Sequence, residues 1–290
     1  MAAHETPTDH LRALARRIAD VVVDETEPRA ILLVGSAATG EADLYSDLDL
    51  IVYCDELPPP ERVDAVLVRL GGAHRELIYP RDEDDHGEGF LLDGVECQLA
   101  FTRVSAAERE LERALGGEEL ETPLQKVVQG VQEGLPLLGE ELIAEWRGRV
   151  AGYPDALRRA TIVHHWRFFP LWFTARRLAV RDTYIWRRQV LVNAVLDLLA
   201  VLGALNRLYM APHFELKRLR KLTARMTLAP PDLADRLERL FEAEAEEAAL
   251  ELERLVGETK ALVEAELPDL ELPPLRRPLG ARHEPFTTRP

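Results

Sequence analysis

Apolar and polar positions follow two different periods in the first third of the chain. Apolar residues recur every three or four positions over 10–23 and 61–70, which predicts two amphipathic helices. Short apolar runs predict four strands, at 29–34, 48–54, 76–79 and 94–101. The polar stretch 80–90 is predicted to be a loop joining the last two strands. Alternating helices and strands predict an α/β layer.

From residue 106 onward, helical periods replace the strand pattern. They predict helices at 106–115, 122–133, 139–149, 155–181, 184–208 and 231–266. The last residues are rich in proline and lack any period, so they are predicted to form an extended or mobile tail. We therefore expect an α/β (α+β) domain with a mixed sheet over 1–105, an all-α helical bundle domain over 106–266, and the tail over 267–290.

The charge of the chain is distributed unevenly. Among 290 residues with a net charge of -15, residues 1–140 carry 12 basic and 30 acidic side chains, a balance of -18. Residues 151–228 carry 14 basic and 4 acidic side chains, a balance of +10. This asymmetry suits an anion held between the two segments, with divalent cations offsetting the acidic side. Arginine-rich helices that pair with an acidic surface would give the same asymmetry.

Hydropathy gives no indication of a membrane span or a leader. No apolar stretch reaches the roughly 18 uncharged residues that a spanning helix needs, and the N-terminal sequence lacks the basic start and apolar run of a signal peptide. A cytoplasmic location is the expectation. Cys54 and Cys97 lie in apolar runs and form no CxxC pair, so we expect both to be buried structural thiols.

One stretch, VGSAATGEADLYSDLDLIV, carries the chemistry that this sequence offers. Gly35 and Ser36 form a turn whose backbone amides can point at a phosphate. Asp47 directly precedes the predicted strand 48–54, and Asp49 is the second residue of that strand. Because a single residue separates them, both carboxylates project from the same face. Two adjacent negative charges need a cation, and Mg²⁺ is commonly bound by one or two carboxylates together with substrate phosphates. A phosphate-binding loop of the Walker type is excluded, because Glu41 occupies the position of its lysine.

This pattern, Gly-Ser followed ten residues later by Asp-x-Asp at the start of an apolar strand, resembles the signature of the nucleotidyltransferase superfamily. That superfamily includes DNA polymerase beta and the antibiotic nucleotidyltransferases. The resemblance implies that Asp47 and Asp49 hold Mg²⁺ and that ATP or another nucleoside triphosphate is the co-substrate. It further implies that Gly35, Ser36 and Ser46 anchor the phosphates.

The family also has a third carboxylate on a neighbouring strand, and the run VECQLAF supplies Glu96. Strand alternation places Glu96 and Gln98 on one face, and we expect Glu96 to face Asp47 and Asp49. In relatives the third acid either completes the metal site or acts as general base. Similarity to the aminoglycoside adenylyltransferases favours the base role for Glu96.

A second, looser resemblance lies in ALNRLYMAPHFELKRLRKL of the helical half. It is similar to the region of bacterial nucleotidyltransferases in which an asparagine, a basic residue and an aromatic residue precede a lysine that contacts the triphosphate. By position these residues are Asn206, Arg207, Tyr209 and Lys217. The neighbouring cations Arg218, Arg220 and Lys221 leave the identity of the phosphate ligand open.

The expected activity is transfer of a nucleoside monophosphate, AMP from ATP, to a hydroxyl of a small molecule such as an aminoglycoside-like antibiotic. One alternative acceptor is a protein or tRNA, as in the toxin and regulator branches of the superfamily. Another alternative is a non-catalytic nucleotide-binding module. The sequence leaves open the nucleotide base, the modified hydroxyl and the oligomeric state.

Overall fold

The computed structural model describes residues 6–118, 120, 122–209 and 216–286. The chain forms two compact units, one of Met1–Leu115 with Lys126–Gly152 and one of Gly116–Gln125 with Tyr153–Pro290. The first unit therefore reaches past residue 105, where the change from strands to helices had placed the expected boundary.

The first unit is built on a six-stranded sheet in the order β3-β4-β5-β2-β1-β6. Strands β2 and β5 are parallel and the other neighbours are antiparallel, so the sheet is mixed, as predicted. The strands are β1 (Ala30–Val34), β2 (Leu48–Cys54), β3 (Ala73–Tyr79), β4 (Asp85–Leu92), β5 (Val95–Arg103) and β6 (Leu135–Leu138).

Among the described residues, the helices that accompany this sheet are, in chain order, α1 (Pro7–Thr26), α2 (Gly35–Thr39), α3 (Pro60–Leu70), α4 (Val104–Gly116), α5 (Thr122–Glu133) and α6 (Glu140–Val150). The helix α1 starts at a capping box, in which the Thr6 hydroxyl accepts from the Asp9 amide and the Asp9 carboxylate accepts from the Thr6 amide. Helices α1 and α3 bury their apolar stripes against one face of the sheet, together with Leu48, Leu50 and Val52 of β2. Cys54 and Cys97 are buried, free thiols in this core, as expected.

The opposite face of the sheet is closed at one end by α6. Trp146 is fully buried there and meets the ring of Tyr53 edge-on, with ring centroids 4.8 Å apart. Its indole nitrogen donates to Glu108 of α4 at 3.4 Å. These contacts explain why helices that follow residue 105 belong to the first unit: they bury the second side of the sheet.

The strand β4 occupies most of the stretch that the sequence had predicted as a loop, and that prediction was wrong. Glu88 of β4 is 2 % exposed, yet its carboxylate accepts two hydrogen bonds from Arg75 of β3, at 2.6 and 2.8 Å. Buried His86 contacts the same carboxylate at 2.9 Å. A β-carbon at Gly87 would clash with the Tyr79 ring, so glycine is needed where the two strands pack closely. The apolar pattern does not predict this strand, because the strand contains glycine and buried charged residues.

The second unit is mostly helical, as predicted. Its α-helices are α7 (Asp155–His165), α8 (Ala175–Ala179), α9 (Tyr184–Leu205), α10 (Leu219–Ala224), α11 (Leu233–Glu242) and α12 (Ala245–Glu266), with 3-10 turns at Leu171–Thr174 and Leu216–Arg218. The predicted helix 155–181 is divided: α7 ends at His165, and α8 begins at Ala175 after Pro170 and a 3-10 turn. The predicted helix 231–266 is likewise divided into α11 and α12.

Two further features of this unit concern its apolar helix and its end. By length and composition α9 could cross a membrane, but 67 % of its most apolar window is buried within the protein, which is typical of a core helix. Residues 267–286 contain no helix or strand. They are held against the helices of this unit by hydrogen bonds and ion pairs. The indole of Trp172 donates to the Pro278 carbonyl at 3.1 Å, and Arg282 pairs with Glu253 at 2.6 Å.

Candidate active site

The turn after β1 places a glycine directly beside an aspartate of β2. Val34 pairs in register with Asp49, and Gly35 follows with a φ of 73°, in the left-handed region that side chains disfavour. A β-carbon at Gly35 would lie 3.4 Å from Oδ2 of Asp49. Glycine therefore allows the backbone to pass close to the carboxylate and leaves room for a ligand at that point.

The short helix α2, which contains Gly35 and Ser36, is held in place by α1. Arg12 donates from Nε to the Ala37 carbonyl at 2.9 Å and from Nη2 to the Ala38 carbonyl at 2.8 Å. These are the carbonyls that a helix leaves without partners at its end. Arg12 thus positions the turn without reaching the site itself.

We predict that Arg12→Ala lowers turnover by about tenfold, because α2 loses its anchor and the turn at Gly35 loosens. The unfolding free energy should fall by only about 1 kcal/mol, since the two bonds are partly exposed. Steady-state kinetics and urea denaturation of both proteins check this. Arg16→Ala, an exposed position on the same helix, is the control and should leave both quantities unchanged. Equal turnover in the two variants would contradict the positioning role.

The loop before β2 is a self-bonded turn. The Ser46 hydroxyl accepts from the Asp43 amide at 2.9 Å and lies 3.3 Å from an Asp43 carboxylate oxygen. That carboxylate also accepts from the Tyr45 amide at 2.8 Å. Ser46 is therefore engaged in shaping the loop immediately before Asp47, while Leu44 and Tyr45 project into solvent.

Asp47 and Asp49 differ in their surroundings although they lie one residue apart. Asp47 is exposed, whereas Asp49 lies within strand β2 and is half-buried. Burial, and secondarily the negative charge of Asp47, raise the pKa of Asp49 to about 6. The pair carries an unfavourable concentration of negative charge that a bound cation would relieve.

The strand β5 brings Glu96 to the same face of the sheet. Asp49 lies opposite Gln98 and Leu48 opposite Cys97 in the parallel β2–β5 ladder, so Glu96 is one register position beyond, toward Asp47. Glu96 and Gln98 are both exposed, while their neighbours Cys97 and Leu99 point into the core. Gln98, which is directly next to Asp49, was not singled out from the sequence.

Lys126 of α5 is a second residue that sequence reasoning missed. Its positive charge acts on Asp49 and counteracts the rise in the pKa of that carboxyl. The neighbouring surface of α5 reaches β1, since a β-carbon at Gly130 would lie 3.6 Å from Val34. Lys126 is the only basic residue between Arg113 and Arg147. That isolation was the available signal, but nothing in the sequence connected it to the aspartates.

The donor set fits a hard divalent cation that brings further ligands with it. Within the described residues, no group of three or more His, Cys, Asp and Glu side chains could hold a metal alone. Asp47 and Asp49 supply two carboxylates with unbalanced charge, and Mg²⁺ commonly completes such a pair with water and phosphate oxygens.

Lys217 lies in the second unit, at an exposed position of the 3-10 turn Leu216–Arg218. Its neighbour Arg220 pairs with Asp235 and Glu238, whereas Lys217 has no ion-pair partner in the part of the chain that is described. Lys217 is the better candidate of the two for an added anion.

The other three residues of this looser resemblance have structural roles. Asn206 donates to the carbonyls of Leu202 and Leu228 and accepts from the amide of Leu228. Arg207 donates to the Tyr153 carbonyl at 2.9 Å, and buried Tyr209 packs on the Tyr153 ring at 4.6 Å. The segment 210–213 lies outside the described residues.

Part of the first unit is similar to a known family. Residues 15–86 match the nucleotidyltransferase domain family. No protein of curated function matches the sequence.

Two solved structures are similar to the chain. One is a nucleotidyltransferase-like protein from Exiguobacterium sibiricum, with 14 % identity, a TM-score of 0.41, and coverage of 88 % of this chain and 78 % of that chain. The other is a cytoplasmic RNA terminal U-transferase, with 15 % identity, a TM-score of 0.29, and coverage of 67 % and 48 %. At these scores neither similarity carries an argument about the substrate.

Proposed function

We propose that this chain, whose residues 15–86 match the nucleotidyltransferase domain family, transfers AMP from ATP to a hydroxyl of a small molecule, releasing pyrophosphate. The acceptor is of the aminoglycoside-like antibiotic class. The observation that carries the proposal is the Asp47–Asp49 pair, which lies beside the Gly35 turn with a raised Asp49 pKa and no cation of its own strand to balance it. The proposed location is the cytoplasm.

The binding roles follow from the position of each side chain. Asp47 and Asp49 would hold Mg²⁺, which supplies charge neutralisation at the phosphates of the nucleotide. Gly35 and Ser36 form the turn beside Asp49 and would bind the terminal phosphates. The Ser46 hydroxyl stabilises the loop immediately before Asp47. Transfer of this kind depends chiefly on positioning and electrostatic stabilisation.

The transfer step forms one bond and breaks one. The acceptor oxygen attacks the α-phosphorus of ATP, and the bond from that phosphorus to the bridging oxygen of the β-phosphate breaks. Pyrophosphate leaves with the electron pair. Glu96 accepts the proton of the acceptor hydroxyl, a role that its exposed position on the face of Asp49 supports.

We predict that Glu96→Gln lowers kcat by about 10²- to 10⁴-fold, the usual contribution of a general base. The affinities for Mg²⁺ and ATP should not change, because the amide keeps the shape of the carboxylate. Glu76→Gln, an exposed glutamate of the edge strand β3, is the matched control. A loss of Mg²⁺ affinity in Glu96→Gln would instead make Glu96 a metal ligand.

Lys217→Ala is expected to weaken ATP binding by about tenfold, because a charge-assisted contact to the triphosphate is lost. Isothermal titration with a non-hydrolysable ATP analogue measures this. Arg220→Ala removes the same charge from a side chain already paired with Asp235 and Glu238, and should bind ATP normally. If only Arg220→Ala loses affinity, the phosphate contact belongs to Arg220.

The acceptor is tested by following the label. The protein is incubated with Mg²⁺ and ATP labelled at the α-phosphate, in parallel with aminoglycosides, lincosamides, tRNA and bacterial lysate. Label on an aminoglycoside supports the proposal, and the acidic balance of residues 1–140 suits such a cationic acceptor. Label that appears only on tRNA or on a protein would replace the small-molecule acceptor with a macromolecular one.

A further inference from the structure

A surface of the second unit concentrates arginines without acidic partners. It consists of residues 177–188, which run from α8 through a turn into the start of α9, and is called the arginine turn below. Its arginines, Arg177, Arg181, Arg187 and Arg188, make no ion pair with any described carboxylate. Elsewhere in this unit, by contrast, Arg159 pairs with Asp155 and Asp269. The arginine turn thus holds positive charge that the fold itself does not neutralise.

Large apolar and aromatic side chains are exposed among these arginines. Val180 and Ile185 are 81 % and 77 % exposed, and Tyr184 and Trp186 are 57 % and 42 % exposed. The guanidinium of Arg188 lies 5.0 Å from the centre of the Tyr184 ring, and the Trp186 ring is supported edge-on by Phe169 at 5.2 Å. Rings supported in this way present aromatic surface to solvent at little conformational cost.

Two buried donors in the arginine turn lack acceptors. The Nε atoms of Arg187 and Arg188 are inaccessible to solvent and make no hydrogen bond, and Arg187 as a whole is only 9 % exposed. A buried donor without an acceptor lowers the stability of the folded state, so such donors are rare in folded proteins. An anion that reorients these guanidinium groups would satisfy them.

The N-terminal end of α9 adds to the positive potential of the arginine turn. The first turn of α9 contains no acidic residue and no side-chain cap, although the N-terminal end of a helix dipole is positive. Between residues 176 and 196 the only acidic side chain is Asp182. Arginines and dipole therefore act in the same direction, toward a ligand with several negative charges.

The residue types favour nucleic acid over other polyanions. Residues 151–209 contain nine arginines and no lysine, and arginine binds phosphate with two donors and stacks on flat rings. Exposed aromatic side chains interleaved with arginine are what single-stranded nucleic acid needs, because its bases are free to stack. We propose that the arginine turn binds single-stranded nucleic acid, with the arginines on its phosphates and Tyr184 and Trp186 against its bases. The proposal does not depend on which acceptor the transferase modifies.

Fluorescence anisotropy of a labelled single-stranded oligonucleotide of about 16 nucleotides, as RNA and as DNA, tests this with the full chain. Wild-type protein should bind, and its affinity should fall steeply between about 50 and 200 mM salt. Arg177→Gln/Arg181→Gln should weaken binding at least tenfold and reduce the slope of log affinity against log salt by about 1.4. Tyr184→Ala should weaken binding several-fold without changing that slope.

The matched control is Arg159→Gln/Arg254→Gln, which removes two arginines from ion pairs in the same unit. It changes the net charge equally and should bind like wild type. Circular dichroism verifies that each variant is folded. Equal binding by wild type and Arg177→Gln/Arg181→Gln would overturn the proposal, as would binding of phosphatidylserine vesicles without binding of the oligonucleotide. Equal affinity for a duplex of the same length would overturn the role of the aromatic side chains.

Discussion

Replacing Asp49 with asparagine is expected to abolish nucleotide transfer and, at neutral pH, to make the folded protein more stable. The variant loses the carboxylate that would hold the cation, so turnover should fall by at least about 10³-fold. The unfolding free energy should rise because the charged carboxylate is unfavourable in the folded protein. Burial and the charge of Asp47 raise its pKa from 3.8 to about 6. The folded state therefore binds the proton more tightly than the unfolded state.

The sign of the pH dependence follows directly. As pH rises through the interval from 3.8 to about 6, the unfolded chain releases its proton first, so the Asp49 contribution to the unfolding free energy falls. Above about pH 6 the wild-type protein carries this cost in full, and Asp49→Asn does not. We expect a gain of about 2 kcal/mol for the variant at pH 7, and a smaller difference at pH 4. Urea denaturation at both pH values measures it.

Two controls make this result specific. Asp55→Asn changes the same charge just after β2, where Asp55 forms an exposed pair with Arg29 at 3.0 Å, and it should retain full activity. Mg²⁺ with ATP should raise the Tm of wild type but not of Asp49→Asn. An active Asp49→Asn variant would remove the metal assignment and with it the proposed chemistry. A less stable variant would show that Asp49 makes a favourable contact in the fold.

Trp146→Ala is expected to destabilise the first unit by about 3–5 kcal/mol. Trp146 is fully buried, lies edge-on to Tyr53 and comes from a helix 41 residues beyond the expected boundary at 105. Its removal leaves a large cavity between α6 and the sheet, which neighbouring side chains fill only in part. Urea denaturation followed by far-ultraviolet circular dichroism measures the loss.

Trp186→Ala, at a position 42 % exposed in the second unit, is the comparison and should cost about 1 kcal/mol or less. Trp146→Phe should recover part of the stability, because the ring contact with Tyr53 is kept. If Trp146→Ala unfolds like wild type, α6 is dispensable for the sheet and the nucleotidyltransferase domain is smaller than the first compact unit.

Most elements could be predicted from periodicity, and strand β4 shows what an apolar pattern does not record. The strand β2 was predicted with its observed bounds, because residues 48–54 form a short apolar run in which Asp49 is the only charged residue. The strand β4 was missed, because Glu88 and His86 are buried by pairing with each other and with Arg75. A pattern of apolar residues cannot reveal a buried charge whose partner lies on another strand.

The candidate site divides in the same way. One residue separates Asp47 from Asp49, so strand alternation was enough to place both on one face, whereas Gly35 was joined to them by the resemblance to the nucleotidyltransferase signature. Glu96 was proposed from the third carboxylate of the family pattern, and the parallel β2–β5 ladder places it on that face. Gln98 is next to Asp49 through strand register, the charge of Lys126 acts on Asp49, and Arg12 holds α2, and none of these relations is recorded in a local pattern.

By itself, the sequence determined the α/β start, the helical second half, the acidic pair and its nucleotidyltransferase signature, since these depend on residues close together along the chain. Only the tertiary structure decided that helices after residue 105 complete the first unit, that Asp49 is half-buried beside Lys126, and that four arginines of residues 177–188 have no described carboxylate partner. The physical reason is that burial, pKa and charge pairing depend on distances in space, and those distances are set by packing between segments far apart in sequence.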